Sequence, residues 1–195
     1  MSVAPLNLAW ATQTHARGNS SALGEPDWLT ADRLAALEKV ETLPVEPNQL
    51  YTTYIDLRAV DFAAVEPYPP TPAAADADQA KLPVGASALV HVDERAVVSC
   101  VLSDEARAAG LVVSTIAQAA QERPELLKRL LDGGGSLPAD DPFGQVARAF
   151  YTQGLLIHVP DEAELKAPIV LRWSGGAAGF GLISRTLISV GRNAH

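Results

Sequence analysis

Three apolar runs near the end of the chain set the pattern on which we expect the fold to be organised. The run 154–159 is too short for an ordinary helix and Pro160 stops it, so it predicts a central strand. The runs 168–173 and 182–190 predict two further strands. Helical spacing of apolar residues dominates the chain before them. The sequence therefore predicts an α+β fold in which an N-terminal helical region leads into the first strands of a β-sheet.

The last predicted strand ends only a few residues before His195. A strand in that position leaves a row of unpaired N–H and C=O groups. We therefore expect residues 154–195 to be the first strands of an apparently truncated core, whose sheet continues in further residues or in a partner chain. In the isolated chain, these strands should either self-associate or fray.

The earlier part of the chain divides into an arm and a domain. Residues 1–24 predict a flexible or docked N-terminal arm. Residues 25–153 predict a mostly helical domain, with helix starts at Pro26, Pro124 and Pro142 and a β-hairpin near 88–102. Within it, residues 50–57 favour an extended segment, and 66–85, which contains five prolines, favours a mobile loop.

Charge and cysteine content narrow the function classes. The formal net charge is −8, and residues 25–66 carry nine acids against three bases. Such acidity argues against nucleic-acid binding, which needs a basic surface, and the carboxylates lack the spacing of a calcium loop. Cys100 is the only cysteine, so one chain can form neither a disulfide nor a thiolate cluster. No run resembles a signal peptide or a membrane span, and we expect a cytoplasmic protein without membrane contact.

Residues that could carry chemistry all have a simpler structural interpretation. Cys100 lies in an apolar run and is predicted to be a small buried hydrophobic residue. His158, with acids shortly after it, is predicted to be a hydrogen-bonded histidine in or beside the core rather than a metal ligand. None of Ser114, Ser184 and Ser189 is in a Gly-x-Ser-x-Gly elbow. We predict no catalytic, cofactor-binding or metal site in this chain.

Two glycine-rich stretches also lack the context of a phosphate site. Residues 133–136 follow a helix and have no Lys-Ser/Thr after them, so they predict a flexible connector. Residues 175–181 lie between two predicted strands rather than before a helix, so they predict a hairpin loop.

The order of motifs from Glu25 to His195 resembles the SufB/SufD family of iron–sulfur cluster assembly proteins, on its SufD-like side. The first group of motifs comprises Glu25-Pro26-Asp27-Trp28, Arg33-Leu34, Ala36-Leu37-Glu38, Leu43-Pro44 and Tyr51-Thr52. The second comprises Leu111-Val112-Val113, Ala119-Ala120 and Pro124-Glu125-Leu126-Leu127. The third and most specific comprises Asp141-Pro142-Phe143, Ala149, Gly154-Leu155-Leu156-Ile157-His158-Val159-Pro160, Ala167-Pro168-Ile169 and Arg185-Thr186-Leu187-Ile188-Ser189-Val190-Gly191.

The resemblance implies an N-terminal helical region followed by a right-handed parallel β-helix, of which this chain would hold the beginning. It implies a non-catalytic scaffold subunit in a SufBCD-like complex, with SufB-like and SufC-like ATPase subunits as partners. The family's cluster-handling Cys and His lie on later coils and match no position here, so no cofactor is expected in this chain.

Two alternatives remain open from the residues alone. One is a β-helix enzyme acting on polysaccharide, which would need paired acids on successive strands. The other is a stand-alone protein-interaction domain that uses the acidic region 25–66.

Overall fold

The computed structural model describes residues 6, 8–45, 50–51, 53–54, 56–57, 60–71, 81–94, 97–132 and 138–195, and no side chain at 97 or 98. These residues form an α+β fold, as the sequence predicts. The helices are α1 Gln13–Ala22, α2 Asp27–Val40, α3 Asp104–Ala108, α4 Ile116–Glu122, α5 Pro124–Asp132 and α6 Pro142–Phe150. The strands are β1 Glu66–Pro67, β2 Ala88–Asp93, β3 Val97–Leu102, β4 Val112–Thr115, β5 Gln153–Val159, β6 Ile169–Ser174, β7 Phe180–Gly181 and β8 Ser184–Val190.

Local capping explains where several helices begin. Thr115 and Gln118 form a reciprocal capping box at the start of α4. The Asp141 carboxylate accepts hydrogen bonds from two backbone N–H groups in the first turn of α6, which has Pro142 at its first position. The predicted starts at Pro26, Pro124 and Pro142 are confirmed to within one residue.

Three parallel strand pairs form the centre of the sheet structure. They are β1·β7, β2·β6 and β5·β8. The strands β6, β7 and β8 follow one another along the chain, whereas their partners come from three distant segments. The prediction of a hairpin loop at 175–181 is therefore wrong, because β6 and β8 pair with different strands instead of with each other.

The pairs β2·β6 and β5·β8 each have a third, antiparallel strand, which pairs with the opposite edge of β2 or β5. β3 pairs with β2, which confirms the predicted hairpin, and β4 pairs with β5. In the described part of the chain the sheets have the strand orders β1-β7, β3-β2-β6 and β4-β5-β8. β6, β7 and β8 are thus each at an edge of their sheet.

The core consists of three clusters of buried side chains. The first, which we call the inner core, lies between β2 and β5 and includes Val90, Leu155 and Ile157. The second joins the opposite face of β5 to α4 and α5. The third joins α1, α2 and α6, with Phe150 fully buried at its centre. β5 is covered on both faces, which explains why its sequence is almost continuously apolar.

Two segments contain an element that the sequence did not predict, although the packing of the first segment on α2 agrees with a docked arm. The segment predicted as an arm contains α1, which Thr12 caps and which packs on α2. The segment predicted as a loop at 66–85 contains β1, which is only two residues long and so gives no periodic signal. Residues 72–80 and 133–137 lie outside the described residues, including the glycine connector predicted at 133–136. In the extended segment 50–57, Tyr51 and Asp56 form an isolated antiparallel bridge.

Candidate interaction site

A buried ion pair joins the start of α2 to the end of α6. The Glu25 carboxylate accepts hydrogen bonds from Nε and Nη2 of Arg33, each at 2.7 Å, and neither side chain is exposed. The Arg33 Nη1 donates to the carbonyl oxygens of Ala149 and Tyr151, both at 3.0 Å. The carbonyl groups at this helix end are thereby satisfied within the protein, as buried backbone groups require.

Tyr151 completes this first network. Its hydroxyl donates to Glu25 at 2.7 Å, and the Arg33 guanidinium lies 3.7 Å from the centre of its ring. Burial raises the pKa of Tyr151, so the hydroxyl keeps its proton and remains a donor. The network therefore needs a carboxylate, a guanidinium and a neutral phenol together.

A second ion network fixes β8 to the helices. The Asp32 carboxylate accepts from Arg148 of α6 and, at 3.3 Å, from Nη1 of Arg185 of β8. Burial alone would raise the pKa of Asp32, but the hydrogen bonds and charges of the two arginines outweigh it and lower that pKa below its usual value. Because Asp32 and Arg33 are adjacent in α2, one helical turn holds both the α6 terminus and strand β8.

None of these six residues was predicted to belong to a site, although two local signals in the sequence mark two of them. Arg33 lies four residues from Leu29 and from Leu37, both fully buried, so a charge interrupts an apolar stripe of α2. Arg185 similarly lies between Ile183 and Leu187 at the spacing of one strand face. A charge in such a position signals a buried partner, but the partner's identity is not readable from local spacing.

We name the outer edges of β6, β7 and β8 together the open end. In the described part of the chain, each of these strands pairs only on the side facing β2, β1 or β5. A strand edge is a row of backbone donors and acceptors that another strand can pair with. Each of these three edges could therefore accept a further strand.

Apolar side chains that point towards the inner core are exposed at the open end. Register pairs Ile157 and Val159, both in the inner core, with Ile188 and Val190 of β8. Paired residues of neighbouring strands lie on the same face of a sheet. Yet Ile188 is 62% exposed and Val190 58%, and Trp173, the partner of Val92, is 41% exposed. The inner core is thus uncovered at this end.

Cys100 lies on the surface, and the prediction that it is buried is wrong. It belongs to β3, an edge strand, where an apolar run does not decide which residues the core reaches. Although the residue is exposed, partial desolvation of its sulfur raises the pKa of the thiol, and the charge of Arg107 opposes this only in part. A thiol with a raised pKa is a poor nucleophile at neutral pH.

His158 is half-buried beside the core, hydrogen-bonded as predicted. Its Nδ1 lies 3.1 Å from Oγ of Ser189, its register partner in β8. Desolvation and the charges of Arg123 and Arg129 lower the pKa of His158, while Asp161 opposes them. The carboxylate of Asp161 is hydrogen-bonded to Arg192 instead of to the imidazole, so this pair lacks the orienting acid of a catalytic triad.

The other serines do not assemble with these groups. Ser114 belongs to β4 and its buried hydroxyl has no hydrogen-bond partner, whereas Ser184 begins β8. A second histidine–serine contact, between Nε2 of His91 and Oγ of Ser174 at 2.9 Å, lies on the exposed side of the β2·β6 pair. Among the described residues, no group of three His, Cys, Asp or Glu side chains could hold a metal ion.

An apolar cavity of about 340 Å³ lies between the N-terminal segment, α6 and the start of β8. Trp10, Phe62, Phe143 and Ile183 are among the residues that line it. The indole N–H of Trp10 is buried without a hydrogen-bond partner. The cavity has room for an apolar group but presents no set of converging polar atoms.

The chain matches no protein-family model, no curated protein and no solved structure in the comparisons made. Within the described ranges, none of the helices has both the length and the apolar character required to cross a bilayer.

Proposed function

We propose that this chain is a non-catalytic scaffold subunit of a Suf-type iron–sulfur cluster assembly complex in the cytoplasm, with SufB-like and SufC-like ATPase subunits as partners. The proposal rests on the order of sequence motifs that resembles the SufB/SufD family. Its fold would be a helical region followed by the first coils of a right-handed parallel β-helix.

The parallel pairing of β6, β7 and β8 supports the proposed fold most directly. The continuous segment from β6 to β8 places one strand in parallel on each of three separate segments, as a coil of a parallel β-helix does. The connection from β5 to the parallel strand β8 passes through β6 and β7, and such crossovers are right-handed in nearly all proteins. Helices precede this coil, which is the order that the resemblance implies.

The buried ion networks suit a scaffold. They fix the helical region to β5 and β8 and leave the strand edges of the open end exposed.

The strands offer no pair of acids for an enzyme that acts on polysaccharide. The only carboxylates on the described strands are those of Glu66 and Asp93, which belong to different strand pairs. That arrangement does not favour polysaccharide hydrolysis, which needs two facing acids.

Co-expression tests the proposed partnership. The tagged chain is purified together with SufB-like and SufC-like subunits, and the mass of the product is measured by light scattering. We expect a stoichiometric complex whose ATP hydrolysis depends on the SufC-like subunit. Recovery of the tagged chain alone, while the other two subunits still bind each other, would contradict the proposal.

Cluster reconstitution tests the non-catalytic role. We expect no stoichiometric cluster absorption in the visible range after anaerobic treatment of the isolated chain with iron and sulfide. A stable cluster that is lost in Cys100→Ser would overturn this expectation, because Cys100 is the only cysteine available as a ligand.

A further inference from the structure

We propose that the apolar cavity between the N-terminal segment, α6 and the start of β8 is a binding site for a small, uncharged aromatic molecule. We name it the aromatic cavity. This inference does not depend on the proposed function, because it follows from the walls of the cavity alone.

The walls of the aromatic cavity come from four separate segments of the chain. The lining residues are 6, 8 and 10, then 60, 62 and 65–67, then 143 and 146 of α6, and 181–183. Ring packing holds two of these walls in place. The Trp10 ring meets the fully buried Phe150 edge-on, with ring centres 5.0 Å apart. The rings of Phe62 and Phe143 lie 5.7 Å apart. The site is therefore preformed, which lowers the entropy that a ligand must lose on binding.

The aromatic cavity is too large to be a packing defect. Its volume is about 340 Å³. Protein interiors leave few voids larger than a water molecule, because atoms that line a void lose their contacts. An apolar cavity of about 150 Å³ already binds benzene, so this volume suits a molecule of about two fused rings. Val60 and Leu182 line the cavity and are exposed, so they mark its opening to solvent.

The lining favours a ring as the ligand. Trp10, Phe62 and Phe143 are three of the thirteen described lining residues, whereas only 6% of the whole chain is aromatic. Aromatic rings pack favourably against one another in edge-on and offset arrangements. A planar ring system also has little conformational freedom to lose when it enters the cavity.

The same lining excludes anions. Among the described lining residues Glu66 is the only charged one, and the others are apolar, aromatic, proline or glycine. A carboxylate or phosphate in this cavity would lose its water without gaining a cation or a side-chain donor. The negative charge of Glu66 would repel it as well. The ligand is therefore uncharged.

The test is calorimetric titration of the 195-residue chain with indole, an uncharged molecule of two fused rings. We expect saturable binding of one molecule per chain with a Kd at or below about 1 mM. Indole-3-carboxylate carries a negative charge on the same ring system, and we expect it to bind at least about tenfold more weakly.

A substitution that fills the cavity identifies the site. Val146 of α6 lines the cavity and is half-buried, so Val146→Phe places a ring in the space that the ligand needs. We expect it to weaken indole binding at least about tenfold. The matched control Val84→Phe adds the same ring to a fully exposed residue outside the lining and should bind indole like the parent.

Magnetic resonance of the parent chain covers the case in which Val146→Phe fails to fold. The chain has three tryptophans, and of these only Trp10 lines the cavity. Added indole should shift the side-chain N–H signal of Trp10, which the variant Trp10→Phe identifies. The corresponding signals of Trp28 and Trp173 should stay in place.

Four outcomes would overturn the proposal. The parent chain binds indole without saturation or not at all. A folded Val146→Phe variant binds indole as tightly as the parent. Indole-3-carboxylate binds as tightly as indole. Indole shifts the signal of Trp28 or Trp173 and leaves that of Trp10 unchanged.

Discussion

Replacing Glu25 by alanine is expected to destabilise the protein far more than the loss of an ordinary surface carboxylate. The Glu25 carboxylate accepts three hydrogen bonds of 2.7 Å, two from Arg33 and one from Tyr151. Both members of the ion pair are fully buried. Without Glu25, the Arg33 charge keeps only two carbonyl oxygens and the Tyr151 ring as partners, and an uncompensated buried charge of this kind costs about 3–5 kcal/mol.

The matched control is Glu125→Ala. Glu125 forms an ion pair with Lys128 at 3.4 Å, but its side chain is 88% exposed. Exposed pairs contribute at most about 1 kcal/mol, so this variant should remain close to the parent. Urea unfolding at pH 7, followed by far-ultraviolet circular dichroism, gives the free energy of unfolding of each protein.

A double variant separates the buried charge from lost packing. In Glu25→Ala/Arg33→Met the unpaired cation is gone, so we expect part of the stability lost in Glu25→Ala to return. Two results would refute this reasoning. One is a Glu25→Ala variant that loses no more free energy of unfolding than Glu125→Ala. The other is a double variant that is less stable than Glu25→Ala by as much as the loss of a second buried side chain would cost.

Three further predictions concern the core, the turn after β8 and acid stability. Phe150→Ala should cost about 3–5 kcal/mol in urea unfolding, because the ring is fully buried; a loss below about 0.5 kcal/mol would contradict that burial. Gly191→Ala should cost about 1–3 kcal/mol, since a Cβ there would lie 2.6 Å from the carbonyl carbon of Pro160, and an unchanged melting temperature would count against this close approach. The folded-state pKa of Asp32 lies below the ordinary value of 3.8, so its contribution to stability is present above about pH 4 and lost as the pH falls through the folded-state pKa. Asp32→Asn should therefore be less stable than the parent at pH 7, with a gap that narrows below about pH 4; a gap constant from pH 7 to pH 2 would refute the assignment.

Local sequence determined the elements whose signals come from near neighbours. The apolar run stopped by Pro160 predicts β5, and the cap at Asp141 and the capping box at Thr115 mark the starts of two helices. These features depend on hydrogen bonds and side-chain spacing within a few residues, so they are readable without knowledge of the fold.

Tertiary structure decided which segments pair and which charges are buried. β1 and β7 are two residues long each, and they are strands only because they hydrogen-bond to each other. Neither therefore gives a periodic signal in the sequence. Cys100 is exposed because β3 lies at a sheet edge, a fact that its apolar neighbours do not reveal. Glu25 and Tyr151 are 126 positions apart, and only the packing of α2 against α6 brings them together. Long-range contacts of this kind depend on the arrangement of whole elements, because no residue near a group in sequence specifies its distant partner.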